Sequence, residues 1–466
     1  MAEGVTLPVV FTTQTPYPIP AQKFMIPATW KRYQLSQLIN KSLSLPKPVP
    51  FDFLIKGEVL RVSLAEWCSE KDFGMEETLQ IEYIESVMPP QRMADIPHDD
   101  WVSSVVCLVP GFFVTGSYDG VIRVFNSSQK LTQTVSGHTA PITSVCILHS
   151  RQTGDAYSDA ETRIIASASH DLTARLTSLS LSSSPSASLE DPNSNPLSKP
   201  KALASLHLHT APLSSIQASP SGEHILTASW DKLIGVWDTT VPSHDEVPLE
   251  HEERKKRRKV AADAAEMDAE APRRKAPVSV LKSHTGRVMK AIFDHKGAKA
   301  YSCALDSTVR VWDVESGVCV ETISASEKPF IDLISSSDGS ALLAASTDRS
   351  ITAYDPRLFS SSLSSSAPPA IASLTQQSTP SSLSPSPSNT HQFVSGGYDG
   401  VVRLWDVRSV KGAVASFRYT GDANVNGSGE GKGGKVLALD WARGLVGVGG
   451  ENGLDVWKIG EGSNVE

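Results

Sequence analysis

The chain has 466 residues, a formal net charge of −8 and 40% apolar residues. That length exceeds one ordinary domain, the apolar share is enough for sizeable cores, and the acidic balance argues against a general nucleic-acid binder. No apolar run nears the ~20 residues of a membrane-spanning helix. The first residues lack the charged and apolar regions of a secretion signal, so secretion is not expected. Cys68, Cys107, Cys146, Cys303 and Cys319 form no CxxC pair. Their scatter argues against a zinc site or a disulfide framework and fits a reducing compartment.

Residues 9–84 read as a small α+β unit. Val9-Val10-Phe11 and Phe24-Met25-Ile26 are short apolar runs around a Pro-rich turn, the pattern of a hairpin. Leu35, Leu38, Ile39 and Leu43 form one stripe of an amphipathic helix, which Pro46 and Pro48 end. Phe51-Asp52-Phe53-Leu54-Ile55 predicts a strand, Lys56-Gly57-Glu58 a tight turn and Val59-Leu60 a short return. A helical turn around Leu64 to Trp67 and an alternating strand at Leu79, Ile81 and Tyr83 complete the unit. This order resembles the ubiquitin β-grasp. No Gly-Gly terminus follows Tyr83, so the unit is expected to dock and not to be conjugated.

From residue 98 the chain repeats itself. An Asp opens a turn, an alternating strand follows, and an aromatic sits six positions on: Asp119 to Phe125, Asp231 to Trp237, Asp306 to Trp312, Asp348 to Tyr354 and Asp399 to Trp405. Asp171 to Thr177 lacks the aromatic, and Glu451 to Trp457 has Glu for Asp. Seven copies at intervals of tens of residues are the mark of a propeller. The fold expected over residues 98–460 is therefore a mainly β, seven-bladed propeller, its sheets packed through small residues such as Ala166-Ser167-Ala168-Ser169. A His precedes some copies, as in Gly137-His138 and Ser283-His284. The pattern resembles WD40 repeats, and that resemblance implies a structural network of His138 with Asp171 and of His284 with Asp306 and Trp312. Asp231 with Trp237 and Asp399 with Trp405 fall at the matching positions.

Inserts near 178–200, 241–277, 359–390 and 421–434 interrupt the repeats. Those at 178–198 and 359–388 are rich in Ser and Pro and are expected to stay unpacked. The insert at 241–277 carries Arg254, Lys255, Lys256, Arg257, Arg258 and Lys259, then Arg273, Arg274 and Lys275. The two clusters read as a bipartite nuclear-import signal or a nucleic-acid patch. Direct RNA contact stays open. The last copy ends at Trp457 with nine residues remaining, so residues 85–97 are expected to close the ring as the outer strand of the last blade.

No P-loop, GxSxG or HExxH occurs, and the glycines of 427–434 lack the strand–turn–helix setting of a phosphate loop. No enzymatic activity and no cofactor of the chain's own are expected. The order of the two domains, together with Lys47-Pro48-Val49-Pro50-Phe51-Asp52-Phe53-Leu54-Ile55 and Asp100-Trp101-Val102-Ser103-Ser104, resembles the WD-repeat subunit of the PeBoW (Nop-seven) complex, the Ytm-one family. That resemblance covers nearly the whole chain. It implies a nucleolar and nucleoplasmic assembly factor of the pre-60S particle. Its propeller would hold the block-of-proliferation (Erb-one) scaffold and, through it, a pescadillo-type subunit. Its ubiquitin-like domain would dock on the MIDAS site of a midasin-type AAA ATPase. The resemblance places the acidic residue that completes that site's Mg²⁺ shell at Glu76, with Glu77 as a rival. A carboxylate before an alternating strand is a suitable hard ligand for Mg²⁺. Two other readings compete: a WD40 substrate receptor of a ubiquitin ligase, and an RNA-binding propeller.

Overall fold

A computed structural model describes residues 5–45, 47–74, 76–148, 161–181, 200–247, 272–324, 328–358, 370–419 and 434–460. The N-terminal domain runs β1 (Thr6–Thr12), β2 (Lys23–Pro27), α1 (Arg32–Leu43), β3 (Phe51–Ile55), β4 (Glu58–Val59), α2 (Leu64–Glu70) and β5 (Leu79–Glu85). Its sheet order is β2-β1-β5-β3-β4, with β1 parallel to β5 and β3 antiparallel to it. Period-two alternation in β1 turns Leu7, Val9 and Phe11 to one face, where Leu35 and Ile39 of α1 cover them. Ser44 adopts the left-handed conformation (φ 51°) that stops α1. The Asn40 side chain then binds both the N–H and the carbonyl of Val49, at 2.8 and 2.7 Å, and sets the chain into β3.

The other described residues form seven sheets, at 102–136, 142–206, 213–282, 288–323, 330–375, 380–418 and 436–458. The outer strand of the seventh is β6 (Gln91–Pro97), which lies antiparallel to Gly453–Lys458 from Gly453↔Pro97 to Lys458↔Gln91. Arg92 secures it through Asp455 at 2.8 Å. Only glycine fits at 453: φ is +131°, and a Cβ there would fall 2.4 Å from the Ile96 carbonyl.

The innermost strands have a sheet neighbour on one side only, so N–H groups on the other side need partners. Side chains of the preceding blade meet several of them. Ser104 accepts from Val145 N–H, Ser215 from Ala291, Asp332 from Leu383 and Ser384 from Trp441, at 2.6–3.2 Å. Lys290 joins blade four to Asp332 of blade five at 2.6 Å. Asp440 of blade seven accepts from Cys107 N–H of blade one at 2.6 Å. The ring surrounds a channel of about 800 Å³.

Three expectations are corrected. Residues 359–390 are not wholly an unpacked insert: Ala372–Thr375 is the outer strand of blade five and Pro380–Pro385 the innermost strand of blade six. Ser-rich composition hid the alternation of Ala372, Leu374 and Leu383, all buried. An innermost strand also tolerates Pro380 and Pro385, because its free edge needs no ladder N–H. The insert at 178–200 begins later than expected, since Ala174–Leu181 is one continuous strand. The insert at 241–277 contributes Arg273–Lys275 as a strand parallel to Lys201–Leu206, a fifth strand on blade two.

Candidate docking site

Helix α2 leads into the acidic turn. Ser63 caps it by accepting from Glu66 N–H at 3.3 Å, and the Glu66 carboxylate accepts from Ser63 N–H at 2.9 Å. Leu64, Trp67 and Cys68 are buried beneath it. After the helix Asp72 turns left-handed (φ 50°), and Phe73 N–H bonds back to Cys68 at 2.9 Å. The Phe73 ring packs 6.1 Å from Trp67 and lies under the Lys56 ammonium at 4.8 Å. Glu77 N–H then closes a tight turn onto the Gly74 carbonyl at 3.1 Å, and Leu79 re-enters the core.

Glu76 and Glu77 are both exposed on this turn, between the partly buried Phe73 and the buried Leu79. One carboxylate offers one or two of the six oxygens of an octahedral Mg²⁺ shell, so such an ion must draw its other ligands from elsewhere. Among the described residues, no group of three or more His, Cys, Asp or Glu side chains is arranged to hold a metal.

The domain is braced on blade six. Glu58 lies 3.1 Å from both Lys71 and Lys411, and the attraction of those ammonium groups outweighs burial and lowers its carboxyl below the usual range. Arg61 donates to the carbonyls of Ala413 and Val414 at 3.1 and 3.2 Å. Arg408 grips the buried Asp406 through two hydrogen bonds and reaches Glu82 at 3.5 Å. Gly57 (φ +74°) permits the closest approach, where a Cβ would meet Val410 at 2.9 Å.

The conspicuous His, Asp and Trp residues lie inside the propeller. Asp306 accepts from His284 at 2.9 Å, His284 meets Ser302 at 2.7 Å, and Trp312 donates to the same Ser302 at 2.8 Å. His138 binds Asp171 and Ser167 alike, each at 2.8 Å, and Thr177 ends that network without an indole. Burial opposes ionisation of Asp171 and Asp306, but hydrogen bonds from His138 and His284 and from neighbouring Thr groups hold both carboxyls well below the usual range. Asp231 and Trp237 belong to a third such network, with Thr227 and a histidine the sequence reading missed, His209. It sits in Leu208-His209-Thr210, without the preceding Gly or Ser that marked the others. In blade six, Trp405 donates to Ser395, which bonds Gln376 in place of a histidine, and Asp399 pairs with Arg403 at 2.6 Å.

The basic clusters separate. Lys255, Lys256, Arg257, Arg258 and Lys259 lie outside the described residues. Lys275 does not fit a free import signal: it is 2% exposed and donates to Asp238 and to the Thr240 carbonyl. A buried ammonium requires such partners, and this one ties the strand to blade three. Arg274 is held through its N–H by Asp245 at 2.9 Å, whereas the Arg273 side chain is exposed.

The NLE (NUC135) domain family matches residues 7–68, and the WD domain, G-beta repeat matches five segments: 92–126, 129–178, 200–238, 275–313 and 370–406. The chain is 56% identical to "Ribosome biogenesis protein YTM1" of Laccaria bicolor, covering 100% of this chain and 97% of that protein. The namesake from Coprinopsis cinerea is 50% identical over 97% and 94% of the two chains, and that from Saccharomyces cerevisiae (strain ATCC 204508 / S288c) 33% over 94% and 93%. The chain belongs to the YTM1 family of ribosome biogenesis proteins. In this family setting the N-terminal β-grasp is the NLE domain and the ring of sheets is the WD40 propeller.

Proposed function

We propose that the chain is a non-enzymatic assembly factor of the large (60S) ribosomal subunit, needed for maturation of its rRNA precursors. The propeller holds a scaffold protein of the block-of-proliferation type, which brings in a pescadillo-type subunit. The N-terminal domain presents Glu76 to the MIDAS Mg²⁺ of a midasin-type AAA ATPase, which draws the complex off the pre-60S particle. The observation that carries this reading is the exposed Glu76–Glu77 turn, held at both ends on a domain that is itself braced against blade six. A hard carboxylate oxygen held outward suits a Mg²⁺ whose remaining ligands come from a partner. The site of action is the nucleolus and nucleoplasm, with the run Lys255–Lys259 as the import element and Lys275 kept for folding.

The test is affinity purification of the tagged full chain with mass spectrometry and probing of rRNA precursors. Co-isolation of pre-60S factors, and accumulation of large-subunit precursors on depletion, are expected. A cullin assembly in their place would overturn the reading in favour of a ubiquitin-ligase receptor.

A further inference from the structure

The three outer strands of blade two, Ala174–Leu181, Lys201–Leu206 and Arg273–Lys275, hold Arg175, Lys201, Arg273, Arg274 and Lys275 and no acidic residue. Lys275 turns to Asp238, and alternation sends Arg274 to the opposite face. On that face the register sets Arg175, Ser205 and Arg274 side by side in one cross-strand row. Neighbouring strands lie about 4.8 Å apart, so the two arginines leave backbones about 10 Å apart with Ser205 between them. Both are half-buried. In blades one and six the arginine four residues after the turn Asp pairs with that Asp, Arg123 with Asp119 and Arg403 with Asp399, each at 2.6 Å. In blade two His138 occupies Asp171, and among the described residues Arg175 has no carboxylate partner. Its guanidinium lies against Gly137, where a Cβ would stand 2.9 Å from Nη1. The neighbouring outer strand of blade one, Leu131–Ser136, contains no charged residue and meets blade two through Gln133, which donates to the Ser180 carbonyl at 2.8 Å. His207, 3.0 Å from Ser205, is held below its ordinary pKa by burial and then by the Arg274 and Arg175 charges, which Asp171 and Asp245 only partly offset.

We propose that this row binds the phosphate backbone of RNA, with one phosphate over Ser205 shared by Arg175 and Arg274. Like charges side by side on one sheet face repel, and an anion between them removes that cost. Guanidinium matches phosphate through paired hydrogen bonds, which fixes the anion's place as well as its charge. Exposed Lys201, four residues before Ser205 on the same strand, extends the positive edge by about 13 Å, more than a single phosphate needs. Peptide is disfavoured because none of the large apolar side chains exposed among the described residues lies on these three strands, whereas peptide anchors need apolar and aromatic contacts. The strands hold no aromatic residue on which bases could stack, so the contact positions RNA without reading its sequence. Membership of a family of ribosome biogenesis proteins makes RNA the polyphosphate at hand. This contact goes beyond the scaffold and ATPase contacts and does not depend on them.

The experiment is fluorescence anisotropy with the full chain and fluorescein-labelled dodecamers of uridine and of adenosine. It is run in a background of Lys255→Gln, Lys256→Gln, Arg257→Gln, Arg258→Gln and Lys259→Gln, which removes the other basic run. Binding in that background is expected, equal for the two RNAs and falling with salt. Arg175→Gln and Arg274→Gln should each weaken it several-fold and lower the salt slope by about one. Arg273→Gln, on the other face of the same strand, should change it by less than about twofold. Arg274→Gln keeps the backbone bond to Asp245, so it decides the matter if thermal unfolding shows that Arg175→Gln disturbs the fold. No binding in the background, binding unchanged by Arg274→Gln, or an equal loss in Arg273→Gln would overturn the proposal. So would a phosphoserine dodecapeptide that displaces the RNA better than unlabelled oligouridine does, which would assign the row to a phosphorylated protein.

Discussion

Asp440 of the last blade accepts a hydrogen bond from the backbone N–H of Cys107 in the first, at 2.6 Å, and so clasps the ring beside its axis. Burial pushes the Asp440 carboxyl up, and the Cys107 N–H and Lys290 only partly pull it back. Asp440→Ala leaves that N–H unpaired and should cost about 1–3 kcal/mol. Asp440→Asn keeps an acceptor without the buried charge. A carboxyl whose folded pKa is raised gives stability below the unfolded pKa and loses it as pH rises through the folded value. Asp440→Asn should therefore gain on wild type from pH 4 towards neutrality, as read by urea unfolding. A difference independent of pH would count against this.

At the rim, closure depends on β6. A chain of residues 91–466 retains that strand, and one of residues 98–466 exposes the whole edge of Gly453–Lys458. Loss of the strand should remove a few kcal/mol, at about 1–2 °C per kcal/mol in a domain of this size. Thermal unfolding of the two truncations should show the longer one melting higher. Equal melting would mean that the ring closes without β6.

The Asp306 network supplies stability with the opposite pH sign. Its folded carboxyl is depressed, so its contribution is complete above the unfolded value of about 3.9 and is lost as pH falls below it. Asp306→Asn should cost about 1–3 kcal/mol at pH 7, with the deficit shrinking below pH 4. Denaturant titrations at pH 7 and pH 3.5 measure both. An equal deficit at the two pH values would contradict the assignment.

The interdomain contact is unequal in its parts. Arg408 is the partner of a fully buried carboxylate, Asp406, whereas Lys411 and Glu58 meet at the surface. Arg408→Ala should cost about 3–5 kcal/mol, since it strands a buried charge. Lys411→Ala should cost less than about 1 kcal/mol. Urea unfolding ranks the two, and limited proteolysis at residues 86–90 reports release of the N-terminal domain. A larger effect at Lys411 would reverse the ranking.

Alternation and turn chemistry were enough to place the β-grasp order, the Asp-to-aromatic strands and the need for a closing strand before residue 98. What composition concealed was packing in polar stretches. Pro380–Pro385 carries one large apolar residue, Leu383, yet forms an innermost strand because its neighbours supply the rest of the core. Lys275 looks like one more exposed cation until Asp238 and Thr240, over thirty residues away, are brought against it. Gln376 replaces a histidine in blade six, and only its bond to the Ser395 that Trp405 also meets shows the equivalence. Glu76 is different in kind. Its exposure follows from the turn, but the metal chemistry proposed for it would come from a partner and has no local signature.

The decisive measurement is the affinity of the full chain for the isolated MIDAS-bearing domain of the midasin-type ATPase, in Mg²⁺ and in EDTA. Glu76→Ala and Glu76→Asp are compared with Glu77→Ala, with folding checked by circular dichroism. Wild type and Glu77→Ala should bind only in Mg²⁺, and both Glu76 variants should fold normally and lose binding. Unchanged affinity of Glu76→Ala in Mg²⁺ would contradict the assignment.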